Sequence, residues 1–229
     1  WGEQGMGNRG NQLSGVTIRP TILLLSLLAG TAPAIAADCP TGVFIATAGP
    51  DTASALEIDP SGQFRYMFSE GAVDEAAEGR WQCIEGALLL STRPRPKPPE
   101  FHLADITDNA EAPFSLLVTW PDGQGIPAVD FKLSFDDGET ISDYTQSDGW
   151  SRDLGGRRPR SVQVFEPFFG TISPVIPLPD RDHIRVNIVL TPNDMGVADF
   201  QETRVTNEDG RLILHWRDRA IPYAASRDD

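Results

Sequence analysis

Two cysteines and three histidines in 229 residues leave little material for metal or thiol chemistry. Neither an H-E-x-x-H pair nor a His-plus-Cys cluster occurs, and no D-x-D-x-D-G loop is present, so neither a zinc nor a calcium site is predicted. The G-x-S-x-G elbow of serine hydrolases is also missing. Gly5-Met6-Gly7-Asn8-Arg9-Gly10 has the spacing of a dinucleotide-binding loop, but no strand precedes it and no helix with a ribose-binding acid follows, so the match is accidental. Basic residues are scarce, 19 Lys and Arg against 33 Asp and Glu, and the formal net charge of −14 repels nucleic acid and other polyanions. No catalytic residue, cofactor or metal is assigned on these grounds.

What is present begins with an export signal. Residues 22 to 30 form a short apolar run after Arg9 and Arg19, followed by Ala34-Ile35-Ala36. The run is too short to span a bilayer and fits a secretory signal peptide. Cleavage is predicted after Ala36, with Ala37 as the first mature residue, because Asp38 disfavours lipoprotein processing at Cys39. Residues 37 to 229 then carry 17 basic and 32 acidic residues, the 19 less two arginines and the 33 less Glu3, for a net charge of −15. No later stretch is long and apolar enough to be a transmembrane anchor. Both cysteines lie beyond the cleavage point, and a Cys39–Cys83 disulfide is predicted for a secreted or periplasmic chain.

From Ala53 to Thr92 apolar residues alternate: Leu56 and Ile58, then Phe64, Tyr66 and Phe68, then Trp81 and Cys83, then Leu88 and Leu90. Period two marks half-buried strands, and Asp59-Pro60-Ser61-Gly62 supplies a type I turn between the first two runs. An antiparallel meander follows, with Cys83 placed on its inward face. Val73–Glu78 is the one weak helix candidate. The four prolines of Arg93–Glu100 remove ladder donors, so this segment is read as a stiff linker or, alternatively, a proline-rich ligand for a partner. A second series of short strands runs from Phe114 to Trp216, with turns such as Asp136-Asp137-Gly138 and Asn207-Glu208-Asp209-Gly210 between them.

The stretch Leu117–Trp150 resembles the carboxypeptidase regulatory-like, or transthyretin-like, β-sandwiches. The likeness lies in the strand Leu117-Val118-Thr119-Trp120, the turn Asp122-Gly123-Gln124-Gly125-Ile126-Pro127, the strand Val129–Leu133 and the later Ser147-Asp148-Gly149-Trp150. It implies an accessory sandwich with no catalytic residues to carry over.

The predicted fold is all-β: an N-terminal antiparallel meander or small barrel followed by a β-sandwich. Residues 1–36 form the signal, 37–100 the meander domain ending in the Pro-rich linker, 101–222 the sandwich and 223–229 a tail. Similar acidic, Gly-ending turns before Gln63 and Arg211 leave open that residues 197 to 216 complete the N-terminal sheet. His102, His183 and His215 stand alone, and the acidic groups Asp136, Asp137 and Glu139, or Asp74, Glu75 and Glu78, read as solvated turns. Arg157, Arg158 and Arg160 form the one dense basic patch and, with the apolar pair Phe168 and Phe169, are the candidate partner contacts. Together these features predict an exported, non-enzymatic binding module. Its partner is expected to be a protein or cell-envelope component, with no nucleic acid. The alternative is an extracytoplasmic hydrolase using dispersed carboxylates.

Overall fold

The computed structural model describes residues 39–46, 49 and 51–226. The predicted signal and its cleavage residues Ala34, Ala36 and Ala37 lie outside them. Every described residue is strand, turn or irregular, so the chain is all-β.

The meander consists of β1 (Gly42–Ala46), β2 (Thr52–Ile58), β3 (Gln63–Glu70), β4 (Val73–Ile84) and β5 (Ala87–Thr92). The chain then leaves to build a sandwich. Its first sheet has the order β10-β7-β14-β6, from β6 (Glu100–Asp108), β7 (Phe114–Thr119), β10 (Trp150–Ser151) and β14 (Ile184–Thr191). The second has the order β12-β11-β8-β9, from β8 (Asp130–Ser134), β9 (Thr140–Tyr144), β11 (Ser161–Glu166) and β12 (Thr171–Ile172), with β13 (Ile176–Pro177) also on β11. Among the described strand pairs only β7 and β14 run parallel. Inward residues of both sheets, among them Leu116, Phe131, Leu133, Val164 and Ile188, make one core. This is the alternation that a two-sheet packing requires.

The chain then returns. β15 (Thr203–Glu208), β16 (Arg211–Trp216) and β17 (Arg219–Ala225) join the meander, not the sandwich, and close an eight-stranded barrel in the order β1-β17-β16-β15-β5-β4-β3-β2. The boundaries 101–222 and 223–229 are corrected accordingly. The sandwich spans Glu100 to Thr191 and is inserted in the barrel, and Tyr223 of the supposed tail is fully buried in the barrel core. The reason is edge satisfaction. A five-strand meander leaves β1 and β5 with unpaired backbone groups, which β17 and β15 pair through Phe44↔Ala225 and Leu90↔Thr203.

Two connectors carry the chain out and back, and they bind each other. Lys97 N–H donates to an Asp194 carboxylate oxygen at 2.8 Å, Asp194 N–H to the Lys97 carbonyl at 3.1 Å, and Asn193 Nδ2 to the Pro98 carbonyl at 2.8 Å. The Pro-rich segment is therefore a braced link, consistent with the linker reading. The returning connector also drives Phe200 into the barrel. Phe200 is 0% exposed, its ring centroid 5.8 Å from Phe64, 5.0 Å from Tyr66 and 4.8 Å from Trp216.

The Val73–Glu78 helix candidate is part of strand β4. The Cys39–Cys83 disulfide is present, with Cα atoms 5.8 Å apart. Cys83 keeps the inward parity, opposite the buried Leu88, but lies exposed near the end of β4, so the bond ties the incoming chain to the barrel rim. Closing a loop with a sequence separation of 44 constrains the unfolded chain, a stabilisation of about 3 to 4 kcal/mol. Urea unfolding of the Cys39→Ser/Cys83→Ser protein should show that loss. Equal midpoints for the oxidised and variant proteins would contradict it.

Candidate functional site

One end of the barrel is polar inside. β4 alternates so that Val73, Glu75 and Ala77 face inward, and Glu75 is 6% exposed in the register position opposite Phe68 of β3. A buried carboxylate needs a partner, because desolvation of an unpaired charge costs several kcal/mol. Arg217 supplies it from the β16–β17 turn, with Nη2 at 2.7 Å from Glu75 Oε1 and the guanidinium carbon 5.5 Å from the Trp216 ring centroid. Both central residues of that turn are left-handed, Arg217 at φ 49° and Asp218 at φ 58°, the conformation a type I′ hairpin needs and that glycine adopts most easily. The tight turn and the ion pair with Glu75 thus place the arginine over the barrel mouth.

A cavity of about 220 Å³ lies there, lined by Tyr66, Phe68, Glu75, Phe168, Trp216 and Arg217, with Glu70, Val73, Arg219 and Ile221 completing the rim. Tyr66 is 3% exposed, and neither its hydroxyl nor the buried Trp216 Nε1 makes a hydrogen bond. Burial first, then the neighbouring Tyr223 and Glu75, push the Tyr66 phenol well above its ordinary value. At the rim Arg219 bonds Glu70 at 2.9 Å and the Thr52 hydroxyl donates to the same carboxylate, holding it below the usual carboxylate range.

Phe168 reaches this cavity from the sandwich. The buried Glu166 accepts the backbone N–H of Phe168 and of Phe169, each at 2.9 Å, and fixes the turn that carries both rings. Phe168 is 46% exposed. Of the sequence-predicted contacts it alone belongs to the site.

The arginine patch does not. Arg158 pairs with Asp180 and Asp182, Arg160 with Asp136 and Asp180, and Arg157 with Glu139 while lying over the Phe135 ring. Those guanidiniums hold Asp180 and Asp182 below the usual carboxylate range. The patch is engaged with acids of its own chain, and Asp136 and Glu139 are exposed as a solvated turn should be. The histidines are dispersed: His102 is exposed on β6, His183 Nδ1 lies 3.2 Å from the Asn109 carbonyl, and His215 Nε2 lies 3.1 Å from Thr206 Oγ1. Among the described residues no group of three His, Cys, Asp or Glu is placed to hold a metal ion.

Sequence reasoning missed Tyr66, Glu75, Trp216 and Arg217 as a group, and Glu75 is corrected from solvated turn to inward-facing strand. The available signal was parity: Glu75 shares its odd register with Val73, Ala77 and Trp81. Comparison of the chain with protein-family models, curated proteins and solved structures finds no match.

Proposed function

We propose that the chain is an exported, non-enzymatic binding module of the cell envelope or extracellular space, with the barrel mouth as its ligand site. The observation that carries this reading is an inward-facing buried carboxylate beside unpartnered Tyr66 and Trp216 polar groups in an aromatic-lined cavity. The Cys39–Cys83 bond supports an oxidising compartment. The inserted sandwich is proposed to be of the carboxypeptidase regulatory-like type. Its support is that Leu117–Trp150 runs as the end of β7, a turn, β8, β9 and a second turn into β10, where Trp150 packs 4.9 Å from Phe131.

The hydrolase alternative needs two carboxyls free to exchange protons across one cleft. Glu70 and Glu75 both line the mouth, but each is bound to its own arginine, which favours binding over catalysis. The test is a titration of the mature protein with benzamide, benzoate, benzylamine and methylguanidine, followed at the Trp216 indole N–H by NMR, beside turnover assays on nitrophenyl esters and glycosides. A shift of the Trp216 resonance without turnover is expected. Turnover abolished by Glu75→Gln would establish the enzyme reading instead.

A further inference from the structure

We propose that the barrel mouth is a guanidinium site and that Arg217 is its built-in occupant, displaced when a ligand guanidinium enters. This rests on the mouth being a ligand site and names the chemistry that site takes.

Each lining group suits a flat cation. Glu75, 6% exposed, offers acceptor oxygens only. The Trp216 ring already carries a guanidinium 5.5 Å from its centroid. The Tyr66 hydroxyl, buried and unpartnered, has lone pairs free to accept an N–H. Phe68 and Phe168 complete an apolar wall. An anion would meet the Glu75 carboxylate, and a neutral ligand would leave that carboxylate dependent on Arg217. The volume of about 220 Å³ exceeds the ~150 Å³ cavity that admits benzene and falls below the ~300 Å³ where drug-sized pockets begin. A guanidinium head and part of its alkyl stem fit that range. The net charge of −14 draws cations toward the protein from a distance.

Arg217 is suited to leave. Its side chain is 44% exposed and sits on a two-residue turn, so it can swing to solvent without moving a barrel strand. The internal guanidinium lowers the apparent affinity for an external one by the fraction of time it occupies the cradle.

The experiment compares wild type with Arg217→Gly, a substitution the positive φ favours. Methylguanidine is titrated by calorimetry and by the Trp216 indole resonance, with methylurea and acetate as neutral and anionic counterparts. Binding by Arg217→Gly about tenfold tighter than wild type is expected, lost in Arg217→Gly/Glu75→Gln, with no response to methylurea or acetate. If Arg217→Gly melts below the assay temperature, Arg217→Asn carries the same comparison. An acetyl-Gly-Arg-Gly amide arm separates sources: tighter binding than methylguanidine assigns the guanidinium to a peptide side chain, weaker binding to a free small molecule. Equal methylguanidine affinity in wild type and variant, or methylurea binding as well as methylguanidine, overturns the inference and leaves the mouth a ligand site. Silence of the Trp216 resonance toward every probe, neutral and anionic fragments included, overturns both.

Discussion

Phe200→Ala is expected to destabilise the protein by about 3 to 5 kcal/mol, the usual cost of emptying a fully buried aromatic position. Phe200 belongs to no barrel strand, yet it touches three aromatic rings from two strands: Phe64 and Tyr66 on β3, and Trp216 on β16. Its backbone is pinned as well, since Phe200 N–H donates to Thr92 Oγ1 at 3.0 Å and the Thr92 hydroxyl donates to the Ala198 carbonyl at 2.7 Å. The site therefore has little freedom to collapse around the lost ring. Urea unfolding at neutral pH measures the effect, with Phe165→Ala on the exposed face of β11 expected to stay within about 0.5 kcal/mol. A loss below 1 kcal/mol for Phe200→Ala would show that the connector only lies against the barrel.

A second large effect is alkaline. Two of the three tyrosines, Tyr66 and Tyr223, are buried in the barrel, and burial raises both phenols, Tyr223 to about 12 even with a Ser54 hydrogen bond pulling it down. Below pH 10 both folded and unfolded chains hold these protons, and the stability is fully present. Above pH 10 the unfolded chain releases them while the folded barrel keeps them, so stability falls by about 1.4 kcal/mol per tyrosine per pH unit. Between pH 10 and 12 the pair removes roughly 4 kcal/mol. Urea midpoints across that window test this, and Tyr66→Phe should halve the slope. Because the Tyr66 hydroxyl has no partner to lose, the same variant should be neutral or stabilising at pH 7. An unchanged alkaline slope in Tyr66→Phe would place the sensitivity elsewhere.

Alternation of large apolar residues made most strands legible. Phe64, Tyr66 and Phe68 all face the barrel interior, and Ile184, Val186, Ile188 and Leu190 all face the sandwich core. Closure was legible only as an alternative, from the similar turns before Gln63 and Arg211, because the strand pattern of Arg211–Trp216 is the same whether its neighbour is β14 or β15. Partner choice is decided by contacts distant in sequence. β4 was obscured for a chemical reason: its inward positions 73, 75, 77 and 79 are Val, Glu, Ala and Gly, so period two carries no hydrophobic contrast. The run Glu75-Ala76-Ala77-Glu78 favours helix enough to invite that reading, and sheet pairing overrides it. The candidate site was hidden for the same reason, since its defining residue is a charged side chain at an inward position.

Insertion of the sandwich within the barrel also imposes a timetable on synthesis. β1 to β5 leave the ribosome early, but the partners of β1 and β5 lie in Thr203–Ala225, so half a barrel must wait while the sandwich, with its own core, folds first. During that interval two open edges and an uncovered apolar face are available to neighbouring nascent chains. A chain broken off after Thr191 should thus be a worse product than one broken off after Thr92, combining a finished sandwich with a half-barrel it can never complete.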